Sequence, residues 1–154
     1  MSRLMLALYS VIFMFAAGTS AAAAQQRKYD ENALRIDEHM GSLSLVRGTS
    51  ETVVAKIGAF RGGTVAEAVS PSPKAVAEAK VFQNNYRPGA LMAAIGIATL
   101  GAAIGAARIS DLNQAVPTSL TVVSVSLIAV GGLKLDTAYR ALARAVWWYN
   151  RDLK

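Results

Sequence analysis

His39 is the only histidine, and it stands in "IDEHM" beside Asp37 and Glu38. An imidazole next to two carboxylates could hold a divalent cation or relay a proton. A metal site wants three or four converging ligands, and there is no second His and no Cys to complete one. His39 is therefore read as a solvated surface residue. The lack of cysteine also removes thiol nucleophiles, disulfides and lipidated cysteines. No GxSxG elbow, P-loop or GxGxxG interrupts the chain. The sequence assigns no catalytic, cofactor-binding or metal residues. It predicts a protein that is not an enzyme and takes no small-molecule substrate.

The residues with chemistry to offer lie at the other end, in "RALARAVWWYNRDLK". Leu135, Tyr139, Leu142, Val146, Tyr149 and Leu153 fall on one helical stripe, with Arg140, Arg144 and Arg151 off it. Trp147 and Trp148 widen the aromatic patch. Aromatic rings with polar tips favour the lipid–water boundary, and arginine pairs with headgroup phosphate. The spacing predicts an amphipathic interfacial helix over 134–154, starting from Asp136 as N-cap. Its membrane-interface residues are Arg140, Arg144, Trp147, Trp148, Tyr149 and Arg151. The rival use of the same stripe is as a seam for a second copy or for residues 73–86.

What must position that helix is a pair of apolar runs. "GALMAAIGIATLGAAIGAA" (89–107) and "VPTSLTVVSVSLIAVGGL" (116–133) contain no charge. Each approaches the roughly 20 residues that cross a bilayer as a helix. The polar turn between them, 108–115, carries Arg108 and Asp111. A transmembrane hairpin accounts for this pattern, since backbone groups in lipid must be satisfied within each segment. A buried helical pair of a soluble protein is the alternative. "GAAIG" is a literal GxxxG, so Gly101 and Gly105 are the expected helix-packing residues. The outline resembles the two-helix proton-carrying subunits of rotary motors, but neither span holds an ionisable group to carry a proton.

Residues 1–24 have the charged start, apolar core and small-residue end of a signal peptide, with Ala22 and Ala24 fitting a cleavage site. An uncleaved signal anchor is the alternative. Residues 25–88 form a small extramembrane segment of mixed charge. Here "DENALRIDEHM" reads as a short helix from Asp30, Ser42 to Val46 as a strand, and "RGG" at 61–63 as a turn. "TSETVVAKIGAF" fits either helix or strand. Ser72 and Pro73 start a helix whose face is Val76, Ala79, Phe82 and Tyr86, and Pro88-Gly89 should break it. The segment is too poor in large apolar residues for a core of its own and should pack against something else.

The expected fold is mainly α: a transmembrane hairpin, a small extramembrane α(+β) segment and the tail helix. Hydrophobic residues make up 53% of the chain and charged ones 17%, with a net charge of +6. The basic residues are dispersed, which speaks against nucleic acid. The sequence therefore predicts an exported membrane protein of the bacterial cell envelope, at the inner or cytoplasmic membrane. It would be a structural, scaffolding or interaction component whose partners are membrane lipid and a protein or a second copy. The alternative is a small oligomeric pore or membrane-permeabilising protein. The signal segment puts 25–88 and the tail outside, whereas the basic flanks Arg87, Lys134, Arg140 and Arg144 favour the inside; the signal segment is taken to dominate.

Overall fold

The computed structural model describes residues 23–39, 42–58, 64–109 and 114–153. Most of the expected signal peptide, the turn at 61–63 and the centre of the 108–115 turn lie outside the described residues. Helix α1 covers 23–32 and is followed by three strands: β1 (Leu34–His39), β2 (Ser42–Arg47) and β3 (Thr52–Ile57). A single turn of helix, α2 (Val65–Ala68), leads into two long helices, α3 (Pro73–Ala106) and α4 (Ala115–Asp152).

The strands form an antiparallel meander in the order β1-β2-β3, with Ile36 opposite Leu45 and Leu45 opposite Ala55. The strand expected from Ser42 is β2, and the ambiguous segment after it is β3. The helix expected from Asp30 is not formed: helical backbone ends at residue 32, and "LRIDEH" is strand β1. Two contacts from outside the segment decide this. β1 pairs along its length with β2, and the Asn150 side chain grips Leu34, accepting from its N–H at 2.7 Å and donating to its carbonyl at 2.8 Å. At the β2–β3 turn Gly48 has φ +68°, and a Cβ there would strike the Glu31 carbonyl. Glycine meets both demands.

The sheet closes over the hairpin's free end. Leu34, Leu45, Ala55 and Ile57 of the sheet and Val65 and Val69 around α2 bury against Ala75, Ala79 and Phe82 of α3. Ala138, Ala141, Leu142, Ala145 and Tyr149 of α4 complete this core. The small segment thus packs against the two helices, as its thin apolar content requires. Ser72 caps α3, its hydroxyl accepting from the Ala75 N–H at 3.3 Å and donating to the Asp152 carboxylate, which ties the two chain ends of the hairpin together.

Two expected boundaries are absent. Pro88 lies inside α3, which runs unbroken to Ala106, and Asp136 lies inside α4 rather than capping a separate tail helix. Proline in a helix interior costs about 3 kcal/mol. Here α3 is packed along α4 on both sides of Pro88, through Tyr86 and Gly89, and that lateral packing holds the helix together. Asp136 instead pairs with Arg140, one helical turn on, at 2.9 Å.

Candidate membrane-spanning hairpin

α3 and α4 lie antiparallel with a seven-residue repeat at their contact. Ala75, Phe82, Gly89, Gly96 and Ala103 recur at every seventh position of α3 and are buried, with Ala79 between the first two. Ser124, Gly131, Ala138 and Ala145 do the same on α4, accompanied by Leu142 and Tyr149. A 3.5-residue period keeps one seam facing the partner along a left-handed pair. Side-chain size changes along it. The end next to the sheet uses Phe82, Leu142 and Tyr149, whereas the far part uses Gly, Ala and Ser.

The glycines of the far part permit backbone contact. A Cβ on Gly96 would lie 2.7 Å from Ile128 Cγ1 and 3.0 Å from the Ser124 carbonyl oxygen. One on Gly131 would lie 2.7 Å from the Ala93 amide nitrogen, and one on Gly89 would lie 3.0 Å from Lys134 Cβ. Gly101 and Gly105, the expected packing residues, have open space at that position and are exposed. The four-residue repeat places them on the outer face of α3, while the seven-residue repeat selects the inner face. Close packing through "GAAIG" therefore needs something other than this hairpin.

Many of the large apolar groups of the hairpin point outward. Ile95, Ile97, Ile104, Val122, Val123 and Val125 are all more than half exposed, and Leu133 is 70% exposed. Both helices are long and apolar enough to cross a membrane, and little of either apolar window is buried within the chain. Soluble monomers rarely leave contiguous apolar patches beyond a few hundred Å². The hydroxyls behave consistently with such surroundings. Thr99, Thr118, Thr121, Ser124 and Ser126 each donate to the carbonyl four residues back, and Ser119 to that three back. None of these six depends on water for its proton.

Cross-helix contacts fix the register. Gly89 sits against Lys134 and Leu135, and Gly96 against Ser124 and Ile128. Toward the sheet, Tyr86 meets Tyr139 edge-on with centroids 6.0 Å apart, Arg144 bonds Glu78 at 3.0 Å, and Lys74 lies 4.4 Å from the Trp148 ring centroid. This register brings the charged limits of the two runs level: Arg87 on α3 with Lys134 on α4. From there to Ala107 is about 28 Å of uncharged helix at 1.5 Å per residue. Burial, assisted by neighbouring Tyr139, pushes the Tyr86 phenol above its usual value of 10.0.

The expected interface residues divide between core and surface. Tyr149 is 4% exposed and belongs to the core beneath the sheet, so it is not an interface residue. Leu142 is buried beside it, and Val146 and Leu153 of the same stripe pack against this core, the rival use of that stripe, while Tyr139 is 46% exposed. Arg140 and Arg144 are exposed but paired with Asp136 and Glu78. Trp147 is 54% exposed, Trp148 is half-buried, and the Arg151 guanidinium lies 5.3 and 4.5 Å from their ring centroids. Tyr29 of α1, with Trp147, Asn150 and Arg151, lines a shallow surface hollow here.

Sequence reasoning missed Gly96 as a contact residue and Asn150 as the clamp on β1. Gly96 carried a signal in its seven-residue spacing with Gly89 and Ala103. Asn150 carried none, because its partner is 116 residues away in the chain. Compared with protein-family models, curated proteins and solved structures, the chain matches none.

Proposed function

We propose that this chain is a small integral membrane protein whose hairpin, 89–133, crosses the bilayer and holds the sheet-capped end on one side. There it serves as a structural or interaction component without catalytic activity of its own, in a bacterial envelope and at the inner membrane. Residues 1–24 act as the export signal and are removed near Ala24. The register of the hairpin carries this proposal. Two uncharged runs of nearly equal length, joined by a short turn, end at the same level, and together they make an apolar slab of about 28 Å, close to the roughly 30 Å hydrocarbon thickness. Outward Ile, Val and Leu with inward Gly, Ala and Ser suit lipid, where association relies on close packing rather than on the hydrophobic effect.

Alkaline carbonate extraction of membranes, followed by N-terminal sequencing of the retained protein, tests this directly. Retention in the pellet with an N-terminus near Gln25 is the expected result. Release into the supernatant would mean that another protein, not lipid, covers the outer faces of α3 and α4.

A further inference from the structure

We infer that the chain meets lipid headgroups at a collar of Arg87, Lys134, Tyr86 and Tyr139, and that Trp147 and Trp148 stand clear of the bilayer. This rests on the membrane reading above and fixes the depth at which the molecule sits. The collar is where three changes coincide. The uncharged slab ends there on both helices, the seam passes from glycine to aromatic side chains, and two tyrosines stack edge-on across it. Among the described residues neither Arg87 nor Lys134 has an ion-pair partner. Two unpaired cations level with two tyrosines match the headgroup layer, where tyrosine presents an apolar ring and a polar tip and cations meet phosphate. The ligand of the collar is the phosphate of anionic lipid in the bilayer that the hairpin crosses.

The tryptophans cannot share that layer. α4 is continuous from Ala115 to Asp152, so Trp148 lies about 21 Å along the axis beyond Lys134. Contacts at Gly131, Tyr139, Arg144 and Trp148 keep α4 against α3 throughout this stretch, so it does not fold back. Headgroups occupy about 5–7 Å on each side of the hydrocarbon. Even a helix tilt of about 40° leaves Trp148 about 16 Å above the slab.

The full chain in nanodiscs of phosphatidylcholine and phosphatidylglycerol provides the test, because Trp147 and Trp148 are its only tryptophans. Aqueous iodide should quench their emission, and exchanging the lipids for chain-brominated ones should leave it unchanged. A tryptophan introduced as Tyr86→Trp, with Trp147→Phe and Trp148→Phe, should be quenched by bromine near the headgroup more than by bromine deep in the chain. Bromine attached to phosphatidylglycerol should quench it several-fold more than bromine on phosphatidylcholine, given roughly five-fold local enrichment per cation. Arg87→Glu with Lys134→Glu should abolish that preference. Strong bromolipid quenching of the native pair in carbonate-resistant protein would overturn the depth assignment while leaving the membrane reading intact. Equal quenching by the two brominated lipids before charge reversal would overturn the anionic collar. Release by carbonate would remove the membrane reading and the collar with it.

Discussion

α3 and α4 run unbroken through two differently packed halves, and their seam changes character between them. Toward the sheet the pair buries Phe82, Leu142 and Tyr149, and Leu34 and Leu45 close over them. Beyond Gly89 the same repeat buries Gly96, Ala103, Ser124 and Gly131, while Ile97, Val122 and Leu133 face out. One half is organised as water organises a protein, large apolar groups inward. The other half is its inverse. On α3 the fixed repeat changes in side-chain size at this point, from Phe82 to Gly89 and Gly96, whereas on α4 it stays small through Ser124, Gly131, Ala138 and Ala145, and Leu142 and Tyr149 beside it supply the bulk.

The largest effect should come from the water-organised half. Phe82 is fully buried and its ring lies 5.0 Å from that of Tyr86. Phe82→Ala should destabilise the cap by about 3–5 kcal/mol through lost burial and the cavity left behind. Thermal unfolding in mild detergent, followed by circular dichroism for the β-sheet signal, would show it as a lowered midpoint. An unchanged midpoint would mean that the sheet does not depend on the helices beneath it.

Glycine substitutions should then separate the inner face of the hairpin from the outer. Gly131→Leu puts a side chain where the Ala93 backbone stands, so the helices must part, at a cost of about 1–3 kcal/mol or more. Gly101→Leu meets open space and should leave hairpin stability unchanged within about 0.5 kcal/mol. Hydrogen exchange of α4 amides in detergent reads both. Faster exchange in Gly101→Leu alone would reverse the assignment of faces.

Much of this division was written in the sequence, though the most conspicuous motif pointed elsewhere. The uncharged runs, the Ser72-Pro73 helix start and the strand at Ser42 are local signals and can be read as such. "GAAIG" drew attention to Gly101 and Gly105 because a four-residue repeat is easily seen among many alanines. The seven-residue repeat through Gly89, Gly96 and Ala103 is sparser, and it becomes decisive only when matched with Ser124, Gly131 and Ala138. Local rules misled where neighbours overruled them. Pro88 is a helix breaker by propensity, yet α3 is held along α4 on both sides of it. "LRIDEH" follows a helix and contains helix formers, yet β2 and Asn150 make it a strand. Tyr149 falls on the apolar stripe of an aromatic, arginine-rich tail, and the rival use of that stripe as a seam against 73–86, closed over by the sheet, accounts for its burial.

Asn150 tests how the cap is fastened to α4. Its side chain serves both backbone groups of Leu34, as a neighbouring strand would. Asn150→Leu would leave a partly buried N–H and carbonyl without partners, costing about 2 kcal/mol. The expected result is a cap midpoint lowered by less than in Phe82→Ala, with exchange at Leu34 accelerated most. Equal acceleration across β1, β2 and β3 would show that the clamp supports the whole sheet rather than the start of β1.

The smallest effect belongs to Arg144, and its size says what the outer surface of the cap contributes. Its guanidinium reaches Glu78 on α3 at 3.0 Å, but about half of the arginine side chain is exposed, so solvent screens the pair. Exposed pairs of this kind contribute about 0.2–1 kcal/mol. Arg144→Gln keeps most of the stem's packing and removes the charge, and it should lower the cap midpoint only slightly. Added salt should shrink that difference further. If Arg144→Gln instead destabilised the cap as much as Asn150→Leu, independent of salt, the two helices would be joined here by more than screened charge. The contrast between a cap held by its core and a hairpin held by backbone proximity would then need a third term, polar contact across α3 and α4.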